Sequence, residues 1–185
     1  MIRAGSLVLL STLILLPPAA AARVPQDGVD EWSGQYDPHF RKYAKRYFGP
    51  HFDWRWFKSQ GIAESGLDPN AASPAGARGV MQIMPATYAE IRKQNPHFPE
   101  TDQPRWNIAA GIYYDRLLYD KWRTPPAGDE RLLFAFGSYN AGYGRIYQAF
   151  KQAPDTTGAW HAIMHYVPSQ TKYYVRRIQH LMNAP

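Results

Sequence analysis

Hydrophobic and polar positions along most of the chain repeat with the period of an α-helix. Between Trp106 and Trp122, apolar side chains recur every third or fourth residue, as on one buried helix face. Capping and breaking residues predict further helices over 37–48, 54–65, 85–94, 129–137, 145–151, 158–167 and 169–182. The alternation typical of a strand is limited to Val80 to Met84. We therefore expect a mainly α fold in one domain, with at most a minimal β element.

The first 22 residues have the pattern of a secretory signal peptide. Arg3 precedes an apolar run from Leu7 to Leu16, and the small residues Ala19 to Ala22 follow two prolines. An uncleaved membrane anchor is the alternative, but a helix of this run would span only about 15 Å, roughly half a hydrocarbon core. We expect cleavage after Ala22, an exported protein that is periplasmic or secreted, and no stable membrane insertion afterwards.

Composition narrows the function classes. The 185 residues include no cysteine, which excludes disulfides, a cysteine nucleophile and a lipid-modified N-terminal cysteine. Residues 23–36 are rich in Gly, Asp and Gln and predict a flexible N-terminal arm before a folded domain over 37–185. The net charge of +6 would be compatible with an anionic partner. The sequence contains no phosphate-binding loop and no nucleic-acid-binding motif, so we expect no nucleic-acid partner.

A metal or cofactor site is not expected either. His161 and His165 lie four residues apart, on one face of a predicted helix. Their segment has neither the glutamate of a His-Glu-x-x-His motif nor a third ligand, and metal sites need at least three.

Glu64 is the first candidate for chemistry. Trp54, Phe57, Gly61 and Glu64 follow the spacing of one helix face, which places a carboxylate on an apolar, aromatic stripe near a helix C-terminus. Burial and the helix dipole would both raise its pKa, as a general acid near neutral pH requires. The alternative is an ordinary solvated glutamate at a helix end.

Two other segments carry residues suited to a sugar. The glycine-containing loop over 70–85 includes Gln82, whose amide can donate and accept hydrogen bonds, and Met84, which offers an apolar contact. Tyr139 and Asn140 place an aromatic ring beside an amide before a glycine turn. Either segment could instead be structural, as a loop over the core and as a helix C-terminus.

Four segments in chain order form a recognisable pattern. They are Glu64-Ser65, Gly-Val-Met-Gln-Ile-Met-Pro-Ala-Thr at 79–87, Tyr-Asn-Ala-Gly at 139–142 and Thr-Lys-Tyr-Tyr-Val at 171–175. Together they resemble the motifs of the family 1 lytic transglycosylases, the soluble-type murein transglycosylase catalytic domain. Each motif alone is weak, but their order and the 18 positions from Glu64 to Gln82 make the resemblance specific. It extends roughly from Trp54 to Leu181.

The resemblance implies a lysozyme-like α+β fold with a substrate cleft. It also implies cleavage of the β-1,4 bond between N-acetylmuramic acid and N-acetylglucosamine in peptidoglycan, with formation of a 1,6-anhydro end. Glu64 would be the single general acid/base, and no cofactor is implied. The substrate-binding residues expected on this basis are Ser65, Ser73, Gln82, Met84, Tyr139, Asn140, Gln170 and Tyr174.

The sequence departs from the family at Gln170, where glutamate is usual, so a second carboxylate there is in doubt. Asp68 is the acidic residue nearest to Glu64 along the chain, but Asp68-Pro69 indicates a turn. A substrate-assisted route needs only one carboxylate, because the 2-acetamido group of the sugar acts as internal nucleophile.

The expected partner is the peptidoglycan glycan strand, and a short exported enzyme is compatible with work beside a cell-envelope assembly machinery. A hydrolytic muramidase on the same site and a non-catalytic peptidoglycan-binding assembly factor remain as alternatives.

Overall fold

The computed structural model describes residues 28–99, 103–123, 128–153 and 158–183. These ranges contain a short 3-10 helix, Val29–Glu31, followed by α-helices. The helices are α1 (Asp37–Phe48), α2 (Arg55–Ser65), α3 (Pro85–Gln94), α4 (Pro104–Lys121), α5 (Gly128–Ala141), α6 (Tyr143–Gln152), α7 (Trp160–Ile163) and α8 (Ser169–Asn183). The prediction of a mainly α fold is confirmed. The predicted signal peptide, 1–22, lies outside the described residues.

Helix α2 packs against α1 and α8, while α4 packs on α1 and α5, and α5 packs on α8. Phe57 and Ile62 of α2 have no exposed surface. Aromatic side chains extend this core, with the Phe57 ring centroid 4.8 Å from that of Phe48 and 6.3 Å from that of Phe136. Because α2, α4, α5 and α8 pack together, residues distant in sequence meet near the C-terminal end of α2.

Two predicted helix ends were wrong. α5 continues past Gly137 to Ala141, because Gly137 is a packing residue: a Cβ atom there would lie 2.5 Å from the Trp160 ring. α7 occupies only Trp160–Ile163 of the predicted range 158–167. Beyond it the chain forms turns and meets Pro168, which disfavours helical geometry in the residue before it.

The predicted strand over Val80 to Met84 was also wrong. Gln82 has a φ of 44°, a left-handed conformation that a strand cannot contain. In this loop, antiparallel bridges join Arg78 to Ala72 and to Ile83. The described residues contain these isolated bridges and no strand.

The described part of the predicted N-terminal arm, 28–36, is folded rather than loose. Val29 is 2% exposed, and Tyr36 is also buried in the core. Lys58 of α2 donates a hydrogen bond from Nζ to the carbonyl oxygen of Trp32 at 3.1 Å and pairs with Asp37 at 3.0 Å. Apolar side chains and a buried cation thus fasten residues 28–36 to α2. Residues 23–27 of the predicted arm lie outside the described residues.

None of the helices in the described ranges has both the length and the apolar character that crossing a bilayer would require.

Candidate active site

Glu64 lies in the last turn of α2. The helix begins after Asp53, whose Oδ1 accepts a hydrogen bond from the Arg55 N–H at 3.0 Å, and it ends at Gly66. Gly66 has a φ of 65° and donates its N–H to the Ile62 carbonyl at 2.9 Å, as expected for a left-handed helix terminus. Glu64 itself is half-buried. The local sequence thus ends the helix within two residues of Glu64.

Tyr174 holds the Glu64 carboxyl. This tyrosine is buried on α8, and its hydroxyl donates a hydrogen bond of 2.5 Å to Glu64 Oε1. The fold therefore brings the motif at 171–175 into contact with the Glu64-Ser65 motif. A direct contact of Tyr174 with substrate stays a prediction.

Burial controls the proton affinity of Glu64. Loss of solvation raises the pKa of its carboxyl from 4.5 to about 8, against the opposing effects of the Tyr174 hydrogen bond and the positive charge of Arg177. The carboxyl is therefore protonated at neutral pH, and it has a hydroxyl and a cation beside it when it loses the proton. Such a group can serve first as an acid and then as a base.

Three of the predicted binding residues make hydrogen bonds inside the loop that follows α2. Ser65 donates from Oγ to the Val80 carbonyl at 2.8 Å. Gln82 donates from Nε2 to two backbone carbonyls of the loop, at 3.0 and 3.1 Å. Ser73 Oγ accepts from the Ala77 N–H at 3.0 Å. These bonds shape the loop beside Glu64, and a contact of the same residues with sugar stays a prediction.

The loop is anchored to α4 by Asn107. Its Oδ1 accepts a hydrogen bond from the Met81 N–H at 2.7 Å, and its Nδ2 donates to the Arg78 carbonyl at 3.0 Å. Gly79 permits this approach, since it has a φ of 75° and a Cβ atom there would lie 2.7 Å from the Asn107 amide nitrogen. One buried amide thus sets the path of the loop.

The motif at 139–142, at the end of α5, joins the loop beside Glu64 to α8. The Tyr139 hydroxyl donates to the Met81 carbonyl at 2.7 Å, and Asn140 Oδ1 accepts from the Thr171 hydroxyl at 2.8 Å. Burial, together with the charge of Glu64, raises the pKa of Tyr139 and of Tyr174 well above the ordinary value. Both tyrosines therefore remain neutral hydrogen-bond donors.

The remaining predicted residues lie at helix starts. Met84 is half-buried immediately before α3, and Gln170 is exposed in the first turn of α8. The binding roles of both residues stay predictions.

Sequence reasoning missed a second buried acid near Glu64. Asp68, the one considered, is exposed, and its Oδ1 accepts from the Asn70 N–H at 2.8 Å in the predicted turn. Asp115 instead has no exposed surface and accepts a hydrogen bond from Gln60 at 3.2 Å. Burial and the charge of Glu64 raise the pKa of Asp115 well above its ordinary value. Its position in line with apolar Ile108 and Ile112 on α4 was the available signal.

Comparison with known proteins finds one family and a set of relatives. The family model described as Transglycosylase SLT domain matches residues 49–161. Membrane-bound lytic murein transglycosylase F of Yersinia enterocolitica is 33% identical over 143 residues, which cover 74% of this chain and 28% of the relative. The protein of the same name from Salmonella typhi is 31% identical, over 79% of this chain and 30% of the relative. This chain thus spans less than a third of the length of these curated relatives.

Solved structures share the fold. The 70-kDa soluble lytic transglycosylase Slt70 of Escherichia coli superposes with a TM-score of 0.66 at 23% identity, over 81% of this chain and 24% of that one. An inactive mutant of lytic transglycosylase Slt from Pseudomonas aeruginosa gives a TM-score of 0.69 at 22% identity, with the same coverage. At these identities the likeness establishes the lysozyme-like helical architecture.

Proposed function

The chain belongs to the Transglycosylase SLT domain family, and from this premise we propose that it is a peptidoglycan lytic transglycosylase with Glu64 as its single general acid/base. The bond cleaved is the β-1,4 bond between N-acetylmuramic acid and N-acetylglucosamine, and the product carries a 1,6-anhydro end. The observation that carries the proposal is the Glu64 carboxyl, which burial keeps protonated at neutral pH and which Tyr174 holds by a hydrogen bond.

In the first step, the protonated Glu64 gives its proton to the glycosidic oxygen. The bond from the muramoyl C1 to that oxygen breaks, and the N-acetylglucosamine leaves with a new hydroxyl. The oxygen of the muramoyl 2-acetamido group attacks C1 and compensates for the electron pair that left. Glu64 is now a carboxylate, which accepts the Tyr174 hydrogen bond and lies within the field of Arg177.

In the second step, the Glu64 carboxylate removes the proton of the muramoyl C6 hydroxyl. The C6 oxygen attacks C1, displaces the acetamido oxygen and closes the anhydro ring. Glu64 regains its proton, and no water is consumed. The burial of Asp115 supports a mechanism with one catalytic carboxylate, because a side chain without exposed surface cannot reach a sugar.

Digestion of purified sacculi tests this proposal. Anhydro ends are one water lighter than the reducing ends that hydrolysis leaves, so mass spectrometry of the released muropeptides separates the two reactions. Anhydro ends are expected. Reducing ends alone would establish the muramidase alternative, in which water rather than the C6 oxygen attacks C1.

A Glu64→Gln variant tests the acid. Replacing a general acid by an amide is expected to lower the release of muropeptides by at least about 100-fold. Glu90→Gln, which changes a glutamate on α3 paired with Lys93, is the matched control and is expected to keep full activity. If neither the unchanged protein nor Glu64→Gln cleaves but both bind sacculi, the chain is a binding module.

We also propose that the protein acts outside the cytoplasm, on peptidoglycan glycan strands. The signal-peptide pattern of residues 1–22 supports this. The N-terminal residue of the protein recovered from the cell envelope tests it, with Arg23 expected after cleavage. An intact Met1 would show instead that the segment is retained. A place beside an assembly machinery remains a prediction, which crosslinking in the envelope would test.

A further inference from the structure

A polar pair is buried between α2 and α4, one helical turn before Glu64. Gln60 of α2 and Asp115 of α4 have no exposed surface. Gln60 Nε2 donates a hydrogen bond to Asp115 Oδ1 over 3.2 Å. The other oxygens of the two groups, Gln60 Oε1 and Asp115 Oδ2, are also buried, and neither has a hydrogen-bond partner within the described residues.

The absence of a partner for these two buried oxygens indicates that the Asp115 carboxyl carries a proton. If Asp115 were ionised, Oδ2 would carry negative charge in the core without a donor, and Gln60 Oε1 would be a buried acceptor without one. A proton on Asp115 Oδ2 removes both defects, because a carboxyl O–H can donate to the carboxamide oxygen. The carboxyl and the carboxamide would then be joined by two hydrogen bonds in a ring, so that every polar atom of the pair is used.

The surroundings of Asp115 favour the neutral form. Asp115 on α4 faces the Glu64 carboxyl on α2. The other titratable and charged groups around these two carboxyls are Tyr114 on α4, Tyr139 on α5, and Tyr174 and Arg177 on α8. Glu64 and Asp115 carry the same sign when ionised, so the charge that Glu64 gains opposes one on Asp115. Burial acts in the same direction.

We propose that Asp115 is a protonated positioning residue, joined to Gln60 in a cyclic acid–amide pair that fastens the last turns of α2 to α4 and places no second negative charge beside Glu64. It acts through Gln60 and the helix that carries Glu64, without touching substrate. The consequence for catalysis rests on the proposed function, in which the charge on Glu64 must form and be neutralised in each cycle. The protonation of Asp115 does not rest on it.

Infrared spectroscopy of the full chain tests the protonation directly. The Glu64→Gln variant removes the carboxyl of Glu64 and its charge, and it is compared with the double variant Glu64→Gln, Asp115→Asn at neutral and mildly alkaline pH. The difference spectrum is expected to show the carbonyl stretch of one protonated carboxylic acid. A carboxylate band in its place would overturn the proposal. This measurement needs no enzymatic activity, so it stands even if the proposed function fails.

Activity on sacculi tests the positioning role. Asparagine is the neutral isostere of protonated aspartate, and its amide can make both hydrogen bonds to Gln60. Asp115→Asn is therefore expected to keep activity within about threefold and the same alkaline limb of the pH profile, whereas Asp115→Leu, which removes both bonds, is expected to lose about tenfold or more. Asp120→Asn, at a half-buried position near the end of α4 in ion pairs with Arg116 and Arg131, is the control.

Two outcomes would contradict the positioning role. A loss in Asp115→Asn as large as in Asp115→Leu would show that the acid itself is needed. A shift of the alkaline limb to lower pH in Asp115→Asn would show that a negative charge on Asp115 normally raises the pKa of Glu64. If Asp115→Leu does not fold, Asp115→Asn and the infrared comparison still decide the matter.

Discussion

Tyr174 donates a 2.5 Å hydrogen bond to Oε1 of Glu64 from a position 110 residues further along the chain. This bond favours the carboxylate form of Glu64, while burial of the same group favours the protonated form. The two effects leave the pKa of Glu64 at about 8. A group with this pKa can give up a proton and recover it near neutral pH, which is what the proposed two-step reaction demands.

Removing the Tyr174 hydroxyl should therefore change both the rate and the pH profile. In Tyr174→Phe the carboxylate of Glu64 loses a charge-assisted hydrogen bond, so the pKa of Glu64 rises and the alkaline limb of activity moves to higher pH. The maximal rate should fall by about tenfold, because the carboxylate formed in the first step is less stabilised. Rates of muropeptide release across a pH series measure both effects.

The adjacent tyrosine is the matched control. Tyr173 is 57% exposed, and Tyr173→Phe is expected to leave the rate and the pH profile unchanged. Equal losses in the two variants would point to a general disturbance of α8. An alkaline limb that moves to lower pH in Tyr174→Phe would contradict the electrostatic role assigned to the hydroxyl.

The raised pKa of Glu64 also makes stability depend on pH. A carboxyl with a folded-state pKa of about 8 and an ordinary value of 4.5 binds its proton more tightly in the folded protein. Its contribution to stability is complete below about pH 4.5 and is lost as the pH rises through about 8. Glu64→Gln cannot ionise and does not lose this contribution. Its free energy of unfolding, relative to that of the unchanged protein, should therefore rise by about 3 kcal/mol over this range. This value is smaller than the full difference between the two pKa values would give, because Glu64 is partly exposed to solvent.

Urea unfolding at several pH values measures this difference. Glu90→Gln, on the surface of α3, provides the baseline for a glutamate without such burial. A constant difference between Glu64→Gln and the unchanged protein from acid to mildly alkaline pH would show that Glu64 has an ordinary pKa in the folded state.

Most helix boundaries could be predicted because their signals are local. α3 begins at Pro85, where proline is favoured in the first turn, and α8 begins at Ser169 as predicted. The end of α5 could not be predicted, because Gly137 has the sequence signature of a terminator and only the Trp160 ring, brought against it by the fold, shows that it packs instead.

The site was predictable to the same degree. Glu64 can be proposed from its own helix face and from the motifs around it, and its catalytic role stays a prediction. Asp115 was overlooked because its importance depends on Gln60, which lies 55 residues earlier and meets it only when α4 packs near α2. The hydrogen bonds from Ser65 and Gln82 to backbone carbonyls could not be predicted either, because a polar side chain near a loop can bind substrate or backbone equally well.

Asn107 should be the most sensitive polar residue of the loop beside Glu64. Asn107→Ala leaves the buried Met81 N–H without its partner, and a buried group left unsatisfied costs about 1–3 kcal/mol. The change also removes one of the two hydrogen bonds to the Arg78 carbonyl, which keeps the bond from the Ile83 N–H at 3.0 Å. We expect the free energy of unfolding to fall by about 3 kcal/mol and the activity to fall as the loop loosens. Asn95→Ala removes a single bond to the Ile91 carbonyl and should cost about 1 kcal/mol. Equal costs in urea unfolding would show that Asn107 does not anchor the loop.

Lys58 should hold residues 28–36 on the domain. Lys58→Met keeps the aliphatic stem but removes the ion pair with Asp37 and the bond to the Trp32 carbonyl. Because Asp37 is partly exposed, we expect a loss of about 2 kcal/mol in the free energy of unfolding rather than the larger cost of a fully buried pair. Hydrogen exchange should accelerate around Trp32 while the amides of α4 stay protected. Lys93→Met, which breaks an exposed pair with Glu90, is the control, and unchanged exchange around Trp32 would contradict the role of Lys58.

The approach of α4 to the loop beside Glu64 depends on Gly111. A Cβ atom at Gly111 would lie 2.8 Å from Cβ of Met81, closer than two carbon atoms can come without a shift of the backbone. Gly111→Ala should therefore lower the free energy of unfolding by about 2 kcal/mol. It should also lower the activity, because the Met81 carbonyl accepts a hydrogen bond from the Tyr139 hydroxyl and the Met81 N–H donates one to Asn107. Gly144→Ala is the matched control: its Cβ meets open space in the first turn of α6, and the better helix propensity of alanine should leave stability equal or about 0.5 kcal/mol higher. Thermal unfolding and sacculus digestion of the two variants decide the point, and an active Gly111→Ala with undiminished stability would show that the contact between α4 and the loop is not tightly packed.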